Sequence, residues 1–245
     1  MPEVKSAAAG RGAAWLLDGF DYFKKAAGAW IGIVVLLVVF SIIASLIPLG
    51  NFVYQIITPV FIGGLVLGCR ELDEGREFGV NYLFAEFSGH AAQLATVGAL
   101  YLVGVVAIMI LLMGLALTVF GGMEIIRGMM SGDITAIQHI QGNPLNILVL
   151  LLIGLALYVP LLMALWFAPA LVVLEEMGAF AAMVASFNGC MKNVIPFLIY
   201  GLVGLVLTIV ATIPLLLGWL VLIPMLIASI YVSYKDIFQT GAAAA

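Results

Sequence analysis

Charge is what this sequence has least of. Asp, Glu, Lys and Arg make up 9% of its 245 residues and apolar residues 65%, against about 25% and roughly 45–50% in a soluble domain. No water-soluble fold has enough interior to hide that much apolar surface, so a soluble globular protein is excluded. The charges that exist are grouped in short stretches between long charge-free tracts, as in a chain solvated mostly by lipid. The net charge of −4 says little, because orientation depends on where Lys and Arg fall rather than on their sum with the acids; nucleic acid is not an expected partner.

Cysteine and histidine are equally scarce. Cys69 and Cys190 are the two cysteines, too few for a disulfide framework and outside any Cys-x-x-Cys pair; both read as small apolar residues near helix ends. His90 and His139 are expected at opposite ends of the membrane region, which excludes a histidine pair holding a haem at mid-depth. There is no HExxH, DxD or EF-hand pattern. The acidic-basic clusters (Asp18, Asp21, Lys24 and Lys25; Arg70 to Glu77; Glu175 and Glu176) read as solvated loops and headgroup contacts rather than as acid-base or metal sites. No catalytic, cofactor-binding or metal-binding residue is assigned. A cleavable signal is also missing, because residues 1–12 are small and polar where an apolar core would be needed; this stretch is expected to be a disordered lead.

What is abundant is the apolar tract. Six of them, at 29–49, 52–69, 91–120, 145–174, 194–217 and 219–234, contain no Asp, Glu, Lys or Arg. About 20 residues at 1.5 Å each cross a hydrocarbon core about 30 Å thick, so the expected fold is all-α with six transmembrane helices. The third and fourth tracts exceed that length, and Pro160 and Pro169 give the fourth places to bend. Turn signals at Pro48 and Pro214 join spans one to two and five to six as tight hairpins. With this topology Lys5, Arg11, Lys24, Lys25, Arg70, Arg76, Lys192 and Lys235 share the face that carries both termini, and only Arg127 lies opposite. That asymmetry predicts cytoplasmic N- and C-termini and an external loop over 121–144.

Helical spacing of Leu16, Phe20, Phe23 and Ala27, and again of Phe180, Met183, Val184, Phe187 and Cys190, predicts amphipathic helices in the interface, with a shorter one over 80–87. The membrane-interface residues expected are Trp15, Phe20, Phe23, Lys24, Lys25, Trp30, Phe187 and Lys192. Interfacial helix, span, Ile-Pro-Leu turn and span occur in one order from Phe20 to Pro59 and again from Phe187 to Pro224. This predicts a parallel internal repeat, dividing a single membrane domain at 13–240 into hairpin units at 13–75, 76–174 and 175–240. Gly28-x-x-x-Gly32 and Gly64-x-x-x-Gly68 are helix-packing pairs, used within the chain or against a partner. Gln55, Gln93, Asn146, Thr96, Thr208, Thr212, Ser41 and Ser45 are the polar residues of the spans, expected to bond to helix backbone or between helices.

Gly12-x-x-Trp15, Gly19-Phe20-x-x-Phe23-Lys24, Leu67-Gly68-Cys69-Arg70, Phe167-Ala168-Pro169-Ala170-Leu171-Val172, Ala182-Met183-x-x-Ser186-Phe187 and Asn193-x-x-Pro196-Phe197 together resemble an uncharacterised family of proteobacterial six-span inner-membrane proteins. The resemblance covers nearly the whole chain. The Pro-Ala-Leu-Val run and the Ala-Met-x-x-Ser-Phe helix are more remotely similar to the membrane domain of some glycerophosphodiester phosphodiesterases, whose catalytic domain has no counterpart here. The resemblance implies the bacterial inner membrane and carries no activity. The functional expectation is therefore a non-catalytic scaffold or accessory subunit, with membrane lipids and another integral membrane protein as partners. The alternative is a carrier or exporter of a lipid or other apolar small molecule, whose path would be lined by Gln55, Gln93 and Asn146.

Overall fold

The computed structural model describes residues 3–119, 122, 130–131 and 144–239. Most of the expected external loop over 121–144, including Arg127 and His139, lies outside them. Among the described residues the chain is helical: α1 (Arg11–Lys25), α2 (Ala27–Leu46), α3 (Gly50–Asp73), a 3-10 helix (Val80–Phe87), α4 (Ala91–Val119), α5 (Pro144–Trp166), α6 (Ala168–Leu174), α7 (Ala179–Lys192), α8 (Val194–Thr212) and α9 (Trp219–Phe238). Six helices are long and apolar enough to cross a membrane: α2, α3, α4, α5 continued by α6, α8 and α9.

Several ends differ from the sequence reading, for local reasons. Span five stops at Thr212 rather than at 217, because 213–218 form a turn in which Leu215 and Leu216 adopt positive φ (50° and 69°). The first turn is closed the same way by Leu49, at φ 63°. Pure leucine gives no signal of such a turn, which normally takes glycine or asparagine. Helices α3 and α9 run past their apolar tracts to Asp73 and Phe238. Span four breaks at Phe167, just before Pro169, while Pro160 stays inside α5. The break is held by Ser186, whose Oγ accepts from the Phe167 N–H (2.9 Å) and donates to the Met163 carbonyl (2.6 Å). A backbone donor freed inside an apolar core is thereby satisfied.

The chain divides into two compact units, Met1–Leu100 with Met163–Ala245, and Tyr101–Leu162. In the larger unit α1 lies along α9 and α8, the 3-10 helix packs on α3 and α2, and α6 packs on α3 and α7. Helix α1 turns Gly12, Trp15, Leu16, Gly19, Tyr22 and Phe23 inward and leaves Leu17 exposed. Burying each large apolar side chain of that face contributes roughly 1.5–3 kcal/mol relative to water. Close approach is made possible by glycine: a Cβ on Gly12 would overlap the Pro196 carbonyl oxygen, and one on Gly19 would sit 2.5 Å from the Met225 oxygen.

Residues 3–10, expected as a disordered lead, run as irregular chain tied down by hydrogen bonds. Lys5 N–H donates to Ile237 O (2.8 Å). Asn193, 1% exposed, accepts from Ala7 N–H (2.7 Å) and donates to Lys5 O (2.8 Å) and Gly189 O (2.9 Å). The smaller unit is an antiparallel pair of helix segments joined by a hydrogen bond between the Tyr101 and Tyr158 hydroxyls (2.8 Å). Leucines face glycines across it, Leu161 at Gly104 and Leu112 at Gly154.

Candidate functional site

Lipid-facing helices leave polar side chains few places to gather, and in the larger unit they gather in one layer where α1, α3, α6 and α9 end. Helix α1 contributes Arg11, Trp15, Asp18 and Tyr22, α3 contributes Arg70 and Asp73, the loop after α6 contributes Glu175, and α9 contributes Tyr231, Tyr234, Lys235 and Asp236. At its centre Asp73 Oδ1 accepts from the Tyr22 hydroxyl (2.6 Å) and Oδ2 pairs with Lys235 Nζ (2.5 Å), which also donates to the Tyr22 oxygen (2.9 Å). The Lys235 ammonium sits 4.9 Å from the Tyr231 ring centre and 5.6 Å from that of Tyr22; the two rings meet edge to face at 5.8 Å. Aromatic faces of this kind stabilise a cation that has lost part of its water. Burial, reinforced by the hydrogen bond to Asp73, raises the Tyr22 pKa far above the usual phenol value, so Tyr22 remains a donor to the carboxylate.

A second tie lies along α1. Arg11 pairs with Asp236 (2.6 Å) and Asp18 (3.2 Å), and Trp15 Nε1 donates to the same Asp236 oxygen (2.7 Å). The hydrogen bond to Asp236 is the main cause of a raised Arg11 pKa. Tyr234 donates to Glu175 (2.5 Å), and Arg76 pairs with Glu71 and Glu74. On the 3-10 helix Glu86, 3% exposed, holds both the backbone N–H and Nδ1 of His90 at 2.9 Å. These charge-assisted bonds are the strong class, and they join segments up to 225 residues apart in sequence. Among the described residues no group of three His, Cys, Asp or Glu is placed to hold a metal ion.

The sequence-derived interface residues separate into two sets. Trp15 and Trp30 are fully buried: Trp15 lies 5.2 Å from the Phe197 ring and Trp30 stacks on Phe78 at 4.5 Å. Phe23 is buried with them, whereas Lys24 and Lys25 are exposed and Phe20 and Phe187 half-buried. Lys24 pairs with Asp21 (2.6 Å) and Lys192 donates to Val4 O (2.6 Å). The glycine pairs separate too. A Cβ on Gly64 would overlap the Tyr82 carbonyl oxygen and one on Gly68 would meet the Phe78 ring at 2.6 Å, so this pair admits the chain's own 3-10 helix; Gly28 meets nothing within 4 Å and Gly32 only Val80, at 3.4 Å. Gly12 and Gly19 pack more tightly than either member of that pair, and their spacing of seven on an amphipathic helix was the available signal. The Tyr22–Asp73–Lys235 centre had no signal, because its members come from three separate helices.

Among the described residues three grooves stand out, and each is apolar. One of about 410 Å³ lies between α2, α3 and the 3-10 helix. A second of about 360 Å³ lies beside α7, lined by Leu100, Ala164, Phe180, Met183, Val184 and Phe187. A third of about 550 Å³ lies within the smaller unit. Gln55, Gln93 and Asn146 line none of them. Gln93 instead accepts from Ala179 N–H at the start of α7 (3.0 Å). Thr96, Thr208 and Thr212 bond the carbonyl four residues back, and Ser45 the one three back, the ordinary behaviour of hydroxyls in membrane helices.

Cys69 and Cys190 are free and buried, and burial pushes the Cys190 thiol up to about 12. Because the thiolate is the reactive species, the folded protein in mild detergent is expected to resist a maleimide reagent and to take up two equivalents once denatured. Rapid labelling of the folded protein would show that these helix ends are open.

The chain is 24% identical over 206 residues to a probable inner membrane protein of Burkholderia thailandensis, an overlap covering 81% of this chain and 73% of that one. No protein-family model matches the chain, and no solved structure does. Six helices long and apolar enough to cross a membrane, and a relative of this kind, make the chain a polytopic helical membrane protein similar to an inner-membrane protein.

Proposed function

We propose that the chain is a non-catalytic subunit of the bacterial inner membrane, with both termini in the cytoplasm, that packs against another integral membrane protein. The observation that carries this reading is the lack of internal cover on the second hairpin. In their most apolar stretches α4 and α5 bury none of their residues, against 17% for α2 and for α8, 50% for α3 and 61% for α9, although α6 itself is buried. Helices that contribute so little to their own chain's packing are available to a partner's. The unoccupied surface at Gly28 is a second place where a backbone can approach. The polar layer supports a structural role, since Asp73, Asp236, Glu175 and Glu86 each serve a tie within the chain. The basic residues of α1, α3, α7 and α9 support the orientation.

The hairpin units support reading the chain as a repeat. Helices α1–α2–α3 and α7–α8–α9 share one order, left-handed leucines in the turn, and a proline inside the last helix, Pro59 and Pro224. Each short helix also packs on the unit before it, with α1 closing onto the last.

Extraction from native membranes in a mild detergent, without crosslinking, tests the role. The expected result is co-elution with a second membrane protein that can be identified by mass spectrometry. A chain that elutes alone in every detergent, at the mass of one copy plus its micelle, contradicts it. A lipid carrier is the second reading, favoured by the lateral groove on α2 and α3; it predicts transfer of labelled lipid between vesicles by the isolated chain.

A further inference from the structure

We propose that the groove between α2, α3 and the 3-10 helix is a binding site for one acyl chain of a phospholipid, whose headgroup lies at the Pro48 turn. The proposal holds whether the protein is a subunit or a carrier. The groove has about 410 Å³, within the roughly 300–1,000 Å³ of small-molecule sites. Its walls are apolar side chains from Phe40 to Ile47 on one side and Val53 to Phe61 on the other. The Tyr54 hydroxyl is turned away, donating to Leu37 O (3.2 Å).

Water is a poor occupant of such a space, because an ordered water needs two to four polar partners. An empty groove is costly as well, since its lining atoms forfeit their dispersion contacts. The same helices expose Val39, Ile42, Ile43, Leu46 and Val53 as part of the lipid-facing surface, so the groove is continuous with the bilayer and fills from it. Its shape is built rather than incidental. Phe40 and Phe61 stack at 5.8 Å and 9°, Phe84 meets both edge to face at 6.2 and 6.3 Å, and Phe87 lies 5.5 Å from Phe61. These four rings form a floor.

At the other end Gly50 stands against the Ala44 carbonyl and adds no side chain to the mouth, which Ile47 and Val53 flank. From Gly50 to Phe61 the groove runs eleven residues along α3, roughly 16 Å at 1.5 Å per residue, about one leaflet's depth. The floor lies toward the charged layer and the mouth at the hairpin tip. The orientation of the lipid follows: carboxyl end at the tip, methyl end at the rings.

The full chain in phosphatidylethanolamine vesicles, doped with a phosphatidylglycerol carrying a diazirine on one acyl chain, tests this after irradiation and peptide mapping. A diazirine near the ester is expected to label residues 47–53, and one at the methyl end Phe61, Phe84 and Phe87. Both labels should exceed those on Leu198, Leu202 and Leu205 of α8, although these are more exposed than Val53, Phe61, Phe84 and Phe87. Val53→Trp and, independently, Ile43→Trp fill the groove from half-exposed positions, and should bring its labelling down to the α8 level while α8 labelling is unchanged. Labelling no greater than that of α8, a reversed order of the two probes, or labelling that survives both substitutions would each overturn the proposal.

Discussion

Gly64→Leu is expected to destroy the folded protein, whereas Gly28→Leu leaves it intact. At Gly64 the backbone of the 3-10 helix passes so close that even a Cβ overlaps the Tyr82 carbonyl oxygen. Neither partner is the flexible end of a side chain, so both backbones would have to move. Overpacking of a tight core costs about 1–3 kcal/mol, and a branched side chain forced against backbone belongs at or beyond the top of that range. The displaced 3-10 helix would also lose the aromatic floor formed by Phe84 and Phe87. At Gly28 nothing lies within 4 Å, and an exposed substitution there stays within about 0.5 kcal/mol. Size-exclusion profiles and thermal unfolding of the two variants in one detergent check the contrast. A Gly64→Leu protein that elutes as a single folded peak with unchanged Tm would show that the close approach does not exist.

Asp73→Ala is the second large effect. It removes the acceptor from Tyr22 and the counter-ion from Lys235 in one step, at side chains only 29% and 25% exposed. Hydrogen bonds to charged groups contribute about 1.5–3 kcal/mol, and for a chain of this size each kcal/mol shifts Tm by about 2–4 °C. The variant should therefore melt about 3–12 °C lower. Adding Lys235→Met to Asp73→Ala should recover part of the loss, because the penalty arises largely from the stranded ammonium. If the two substitutions lower Tm additively, the pair is not coupled and the centre of the polar layer is not as described.

These two sites also mark what could be read from the residues alone. Spans, hairpin turns and the three short amphipathic helices follow from local pattern: charge-free runs, prolines at 48 and 214, and apolar residues at helical spacing. Gly64 and Gly68 were visible as a motif, yet the same motif at Gly28 and Gly32 has no internal partner. A small residue permits close approach without specifying what approaches. The turn was legible at Pro214, but the end of α8 at Thr212 was not, because Leu215 to Leu217 continue the lipid-soluble run and hide where the helix stops. Trp15 and Trp30 read as interfacial anchors from their place near span ends, but their burial depends on Phe197 and Phe78, contributed by other segments. The Tyr22–Asp73–Lys235 centre depends on α1 crossing α9, a tertiary contact that no local pattern encodes.

The central claim is that the polar layer joining α1, α3, α6 and α9 lies, with the end of α7 that carries Lys192, at one membrane surface, which the proposed orientation turns to the cytoplasm. Single cysteines at Lys24→Cys and Lys192→Cys, with Cys69 and Cys190 replaced by alanine, report it when spheroplasts are treated with a membrane-impermeant maleimide. Both positions should stay unlabelled in intact spheroplasts and label together after permeabilisation; labelling of one without the other in intact spheroplasts would contradict the account.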